Sequence, residues 1–374
     1  MTTTTSRQAI YFLDAGADQV LSVQLDLSGD WQIERSYRVA FDDMARRYRA
    51  TIDPAHHARF DHEVERVRNY LAETPPAGLG LIIHSCEPAG VWNVVAIPAA
   101  LGDAVAFERF PRIRALLDFA DEHEPSAVAL VDSEEARVFL IDREQVIDSW
   151  DLLSLVPGRH KQGGWSQANF QRHHDNAVDV HLRTVCEQLA ELDQRQPFRR
   201  LIVGGPVEPV SRLRELLPRA MRDRLAGTFE AEMFAAPAEV LTRASAVLTA
   251  AEREAESRVV AQLREGAHDG GTAVVGFTPP LAAVASRQVR TLVAATAPAG
   301  PGATCPSCDG LFSGELAVCP VCGSALDPVA DVVDEAMRRT VVAGGEVEVV
   351  HGAAAAELLA LGAGIGALLR YTAG

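Results

Sequence analysis

Aromatic residues make up only 6% of this 374-residue chain, and cysteines number six. The first shortage leaves core formation to Val, Leu and Ala. The second excludes a disulfide scaffold, which is the resort of small secreted domains dense in cysteine. Basic residues are also in deficit: 35 Lys and Arg face 51 Asp and Glu, for a formal charge of −16. That balance excludes a protein that coats nucleic acid through bulk charge, while a local basic surface stays open. No long hydrophobic run is present. Residues 352–369 form the most continuous one, but Glu357 interrupts it and Ala and Gly dominate it, so it is too weak to span a bilayer. Residues 1–7 lack the basic-then-apolar pattern of an export signal. A cytoplasmic location is expected.

What is present is an ordinary globular composition, 48% apolar and 23% charged, in a chain long enough for two or three cores. Pattern divides it into residues 1–124, 125–264 and 265–374. In the first region, residues 20–27 alternate like a strand. Residues 57–71 carry Phe60, Val64, Val67 and Leu71 at helical spacing. Residues 79–84 and 91–98 form a strand pair turning at Glu87-Pro88-Ala89-Gly90. The middle region opens with strand-like runs at 127–131, 136–141 and 145–150, then a loop with Pro157, Gly163 and Gly164. A long helix follows, with Val178, Leu182, Val185, Leu189 and Leu192 on one face. Residues 198–203 read as a buried strand and Gly204-Gly205-Pro206 as the turn into a helix near Leu213, since the Lys-Ser/Thr ending of a phosphate loop is missing. A further helix is predicted over 237–263. The last region shows strands at 272–276, 291–295, 346–350 and 365–371, and helices at 278–289 and 329–340. Strands alternating with helices predict a mixed α/β (α+β) fold of three small domains.

The sharpest local signal is Cys305-Pro306-Ser307-Cys308 and, after ten residues, Cys319-Pro320-Val321-Cys322-Gly323. Each pair puts two thiolates on one tight turn, and four thiolates close a tetrahedral shell around zinc. Cys305, Cys308, Cys319 and Cys322 are therefore the expected ligands of a structural zinc ion in a ribbon spanning 303–325; a redox dithiol pair is the alternative. Cys86 and Cys186 have no such pattern and read as small buried apolar residues.

A second stretch runs from Arg159 to His174, between a strand and the long helix. Gly163 and Gly164 permit backbone conformations closed to other residues and let another molecule come close. Between Arg159 and Arg183 lie four Arg or Lys against two acids, with four of the eleven histidines, an electropositive island in an acidic chain. Taken alone, the same residues also suit a turn and a solvated helix start with Trp165 packed on the domain.

The order of three domains, the Gly163-Gly164-Trp165-Ser166-Gln167 loop and the closing Gly364-Ile365-Gly366-Ala367-Leu368-Leu369-Arg370-Tyr371 resemble the archaeal and eukaryotic class-1 peptide-chain release factor superfamily. That group includes Pelota, bacterial relatives and Vms-like release-factor domains. Gly270-Gly271-Thr272-Ala273-Val274-Val275-Gly276 before a helix, and a zinc ribbon in the third domain, are similar too. The resemblance covers residues 125–374 and is loose before them. It implies that Gln167 is the catalytic glutamine, that Gly163 and Gly164 allow backbone approach, and that Arg159, Lys161, Arg172 and His173 face RNA. In the family the glutamine directly follows the glycines; here Trp165 and Ser166 intervene, closer to the Vms-like variation. The implied partners are the ribosomal A site and peptidyl-tRNA, with room for a translational GTPase and without DNA or membrane. The implied reaction is peptidyl-tRNA hydrolysis, in which an uncharged carboxamide positions water at an activated ester. Residues 1–124 carry no stop-codon-reading motif, so codon-specific termination is not expected. Two alternatives stand beside this reading: a Pelota-like A-site binder without chemistry, acting in stalling or hibernation, and a zinc-ribbon scaffold unrelated to ribosomes.

Overall fold

The structure is a computed structural model that describes residues 7–29, 36–75, 77–122, 125–142, 145–153, 165–268, 271–296 and 300–372. The chain forms two compact units, residues 1–121 with 256–374, and residues 122–255.

The first unit begins with α1 (Arg7–Tyr11), β1 (Val20–Asp26), α2 (Ser36–Arg49), α3 (His57–Glu73), β2 (Gly80–Cys86), β3 (Val91–Ile97), β4 (Ala104–Glu108) and α4 (Arg114–Glu122). The strands form an antiparallel sheet in the order β3-β2-β1-β4. Side chains alternate across a strand, so Leu21, Val23 and Leu25 pack with Phe41, Phe60, Val67 and Leu71 of α2 and α3. Val20, Ile82 and Val95 take the other face, with Ile10 of α1 and Leu116 and Phe119 of α4. The predicted first strand, helix and strand pair are all present.

The second unit holds β5 (Ser126–Val131), β6 (Glu135–Asp142), β7 (Gln145–Leu153), α5 (Trp165–Arg195), β8 (Arg200–Gly204), α6 (Val207–Leu216), α7 (Arg219–Arg222), β9 (Leu225–Phe229) and the start of α8 (Pro237–Gly266). Its sheet, ordered β7-β6-β5-β8-β9, is antiparallel on the β6–β7 side and parallel across β5, β8 and β9. Ala127, Ala129 and Val131 meet the α5 stripe of Val178, Leu182, Val185, Leu189 and Leu192. Val128 and Leu130 face Val240 and Ala244 of α8. Gly205 has φ +136°, and a Cβ there would fall 2.0 Å from the Val131 carbonyl oxygen. Close strand-to-turn packing therefore explains this glycine without a phosphate.

The chain returns to the first unit through the last turns of α8, which bury Val260 and Leu263. Then come β10 (Ala273–Val275), α9 (Thr278–Ala285), β11 (Val289–Ala295), β12 (Gly302–Thr304), β13 (Leu311–Ser313), β14 (Asp327–Val329), α10 (Val332–Val342), β15 (Glu346–Val350), α11 (Gly352–Gly362) and β16 (Ile365–Leu369). A four-stranded sheet runs β10-β16-β11-β15, and β13-β12-β14 form a separate three-stranded ribbon. Two predicted helices shift. The first stops at Ala285, because Arg287 turns the chain at φ +57° and Val289 already belongs to β11. The second starts at Val332, because the Asp331 carboxylate caps it by accepting the N–H groups of Val333 and Asp334. Among the described residues, no helix is long and apolar enough to cross a membrane.

Inside the first unit, the segment before α4 is tied to α10. Asp334 Oδ1 accepts the N–H groups of Ile113 at 3.0 Å and Arg114 at 2.6 Å. The Arg114 guanidinium donates to the Ala295 carbonyl. Ala330 N–H donates to Glu108 at 2.8 Å, and the Arg338 guanidinium lies 3.6 Å from the centre of the Phe110 ring. His351, at the start of α11, stands 3.0 Å from both Asp118 of α4 and Glu256 of α8.

Candidate functional site

Helix α5 positions the glutamine assigned by resemblance. It begins at Trp165, so Trp165, Ser166 and Gln167 occupy its first turn. Arg159, Lys161, Gly163 and Gly164 lie outside the described residues, and the side chains of Gln167 and His173 lie outside the described ones. Arg172 is exposed, as is Arg183 further along the helix. His174 turns inward and is 9% exposed. One turn on, it is followed by Val178, so it belongs to the buried stripe. On the flank of the helix Arg212 meets Asp179 at 2.5 Å and holds that carboxyl below its usual range.

The four ribbon cysteines converge. Their sulfurs all lie within 4.8 Å of one another, with Cys305 and Cys322 at 3.4 Å and Cys308 and Cys319 at 3.6 Å. A tetrahedral site with metal–sulfur bonds of about 2.3 Å has edges of about 3.8 Å, so the cluster has the required size. Two matched turns build it. Asp309 N–H donates to Cys305 O and Gly323 N–H to Cys319 O, with Asp309 at φ +57° and Gly323 at φ +77°. Beneath them lie Ala303, Cys305, Cys319 and Leu326. The Cys322 thiol is held down to about 6, chiefly by the Ser324 hydroxyl and the Ser324 backbone. Cys308 is pushed up to about 12: a hydrogen bond from Gly310 N–H favours its thiolate, but Cys305, lost solvation, Cys319 and Cys322 outweigh it. Cys322 thus gives up its proton readily, while Cys308 holds its own. An all-sulfur donor set of this size could hold a metal ion, with a soft or borderline ion suited to it.

The remaining sequence signals resolve structurally. Cys86 is buried, and Cys186, 7% exposed, has its thiol pushed up to about 11 by burial; neither is a poised nucleophile. In the basic run at the end of α2, Arg46 pairs with Asp43 and Arg49 binds Asp61 through two hydrogen bonds of 2.7 and 2.9 Å. These arginines serve the exposed helix face.

One feature of the first unit escaped the sequence reading: a cleft of about 1250 Å³ bounded by the segment before α4, by α10 and by the ribbon. Its walls carry eight carboxylates, four arginines and one histidine. Arg109 is paired with Asp14, and Arg338 and Arg339 both with Glu335. The residues lie far apart in the chain, so no local motif could reveal it.

This two-unit mixed α/β chain, with a diglycine segment before a long helix and a four-cysteine ribbon in its last region, is similar to the peptide-chain release factors. Within it, residues 111–249 match the family described as bacterial archaeo-eukaryotic release factor family 10. Peptide chain release factor subunit 1 of Methanopyrus kandleri is 24% identical over 259 residues, covering 66% of this chain and 61% of that protein. Its counterpart in Methanocaldococcus jannaschii is 29% identical over 289 residues, covering 68% of each chain. This chain thus spans about three fifths to two thirds of the length of these two relatives. Among solved structures, Saccharomyces cerevisiae Dom34, described as a translation termination-like factor, covers 78% of this chain at 12% identity, with a TM-score of 0.45.

Proposed function

We propose that this release-factor/Pelota-type translation factor enters the ribosomal A site and brings the Gly163-Gly164-Trp165-Ser166-Gln167 segment to the peptidyl-transferase centre, where it hydrolyses peptidyl-tRNA. The observation behind this reading is the placement of Gln167 in the first turn of α5. That helix is fixed by five buried apolar residues, so it can hold a terminal turn in a set position. The backbone of Gly163 and Gly164 would approach the tRNA end. The Gln167 carboxamide, offering one acceptor and two donors, would orient the water whose oxygen attacks the ester carbon. The acyl–oxygen bond then breaks, and the water's proton ends on the ribose oxygen. Arg159, Lys161, Arg172 and His173 would meet RNA phosphates. Zinc would be the ribbon's metal, stabilising a segment with little core of its own. A translational GTPase would be a fitting escort. The division into domains 1–124, 125–264 and 265–374 belongs to the same reading.

Incubation with ribosomes carrying labelled peptidyl-tRNA tests it. Wild type should release peptide, and Gln167→Ala should lower the rate by about 10²-fold, the scale of losing one positioning group. Equal rates for the two proteins would remove the catalytic role. A second reading, an A-site binder without chemistry, draws on Trp165 and Ser166, which carry Gln167 past the glycines and into the helix. It expects no release above background together with ribosome binding that weakens as salt rises.

A further inference from the structure

The ribbon is chemically unlike the rest of the chain. Residues 300–331 contain no Lys, Arg or His, but they contain Asp309, Glu315, Asp327 and Asp331. Asp331 is committed to capping α10 and to Arg114. Asp309, Glu315 and Asp327 are exposed. Four thiolates around a dication would leave two further negative charges. Arg339 reaches the ribbon only at the Asp309 carbonyl and is already paired with Glu335.

On this acidic ground stand bare apolar side chains. Leu316, Val318 and Val321 are 43%, 59% and 74% exposed, with Ala317 and Pro320 exposed between them. The ribbon has its own interior in Ala303, Cys305, Cys319 and Leu326, so these three do not serve its packing. Glu315, Leu316 and Ala317 also form part of the wall of the carboxylate-rich cleft.

We propose that this face of the ribbon, Glu315 to Val321 with Asp309 and Asp327 beside it, docks a protein whose contacting surface is apolar and rimmed by Lys and Arg. A nucleic-acid phosphate chain would meet acidic charge here and find no Lys, Arg or His within the ribbon itself to release its counterions. A basic-rimmed apolar surface is drawn in by the same charge and gains by covering Leu316, Val318 and Val321. The inference does not depend on peptide release, which is measured separately.

The test places a photoreactive residue in the full-length, zinc-loaded chain, as Val321→p-benzoylphenylalanine, with the exposed Val180 of α5 as the control position. Both proteins are irradiated in cell extract, and adducts are digested separately with ribonuclease and protease. The expected result is a protein adduct specific to position 321, its crosslinked segment holding apolar residues flanked by Lys or Arg. Its yield should fall about tenfold when Glu315→Lys and Asp327→Lys are added, and again when Val318→Ser is added. Metal content and thermal midpoint, measured in parallel, keep these surface variants comparable. An adduct lost to ribonuclease, an adduct with another copy of this chain, a protein adduct insensitive to the charge reversals, or no adduct at all would each overturn the proposal.

Discussion

Asp334 illustrates how one side chain can join distant parts of a fold. It is 6% exposed, and burial, then the neighbouring Asp331 charge, push its carboxyl up to about 7 against the pull of Arg114 N–H. The folded protein therefore keeps a proton there at pH values where the unfolded chain, titrating near 3.8, has lost it. The sign follows: this group supports the fold fully below the unfolded value, and its support declines as pH rises from about 4 to about 7. Asp334→Asn keeps an acceptor for Ile113 and Arg114 but cannot titrate. Denaturant midpoints at pH 5 and pH 7.5 should differ less in this variant than in wild type. Asp334→Ala, by orphaning the N–H groups of Ile113 and Arg114, should cost about 1–3 kcal/mol in urea unfolding at pH 5, and less at pH 7.5, where wild type has itself lost the support of the protonated carboxyl.

At the scale of elements, legibility followed periodicity. The α5 stripe and the alternation of β1 were plain in the sequence because each buries one regular face. Helix α11 was not, since its run of Ala and Leu shows no polar stripe to orient it and read only as a weak apolar stretch. The strands β12, β13 and β14 span three residues each, and Pro328 sits inside the last; such pieces have no period to detect. The cysteines in the turns beside them were nonetheless unmistakable, because ligand spacing is set by coordination and not by the backbone repeat. Gln167 was found by resemblance alone, since neither charge nor spacing distinguishes it from any helix-start glutamine. The ribbon carries its own prediction. Chelation should expose four fast-reacting thiols, while Cys86 and Cys186 stay slow until global unfolding. Thiol titration with and without EDTA, followed by guanidinium, checks the count.

For the whole molecule, the two units carry separate cores, with Leu182 and Leu201 in one and Leu292 and Ile365 in the other. Calorimetry should resolve two transitions, and chelation should lower only the one belonging to residues 1–121 with 256–374. The same arrangement bears on how the polypeptide is made. The two backbone amides that open α4 bond to a carboxylate supplied 220 residues later, from Asp334 to Arg114. At cellular elongation speeds the nascent helix start stays without that acceptor for roughly 10–40 s, an interval in which the intervening unit can finish folding by itself.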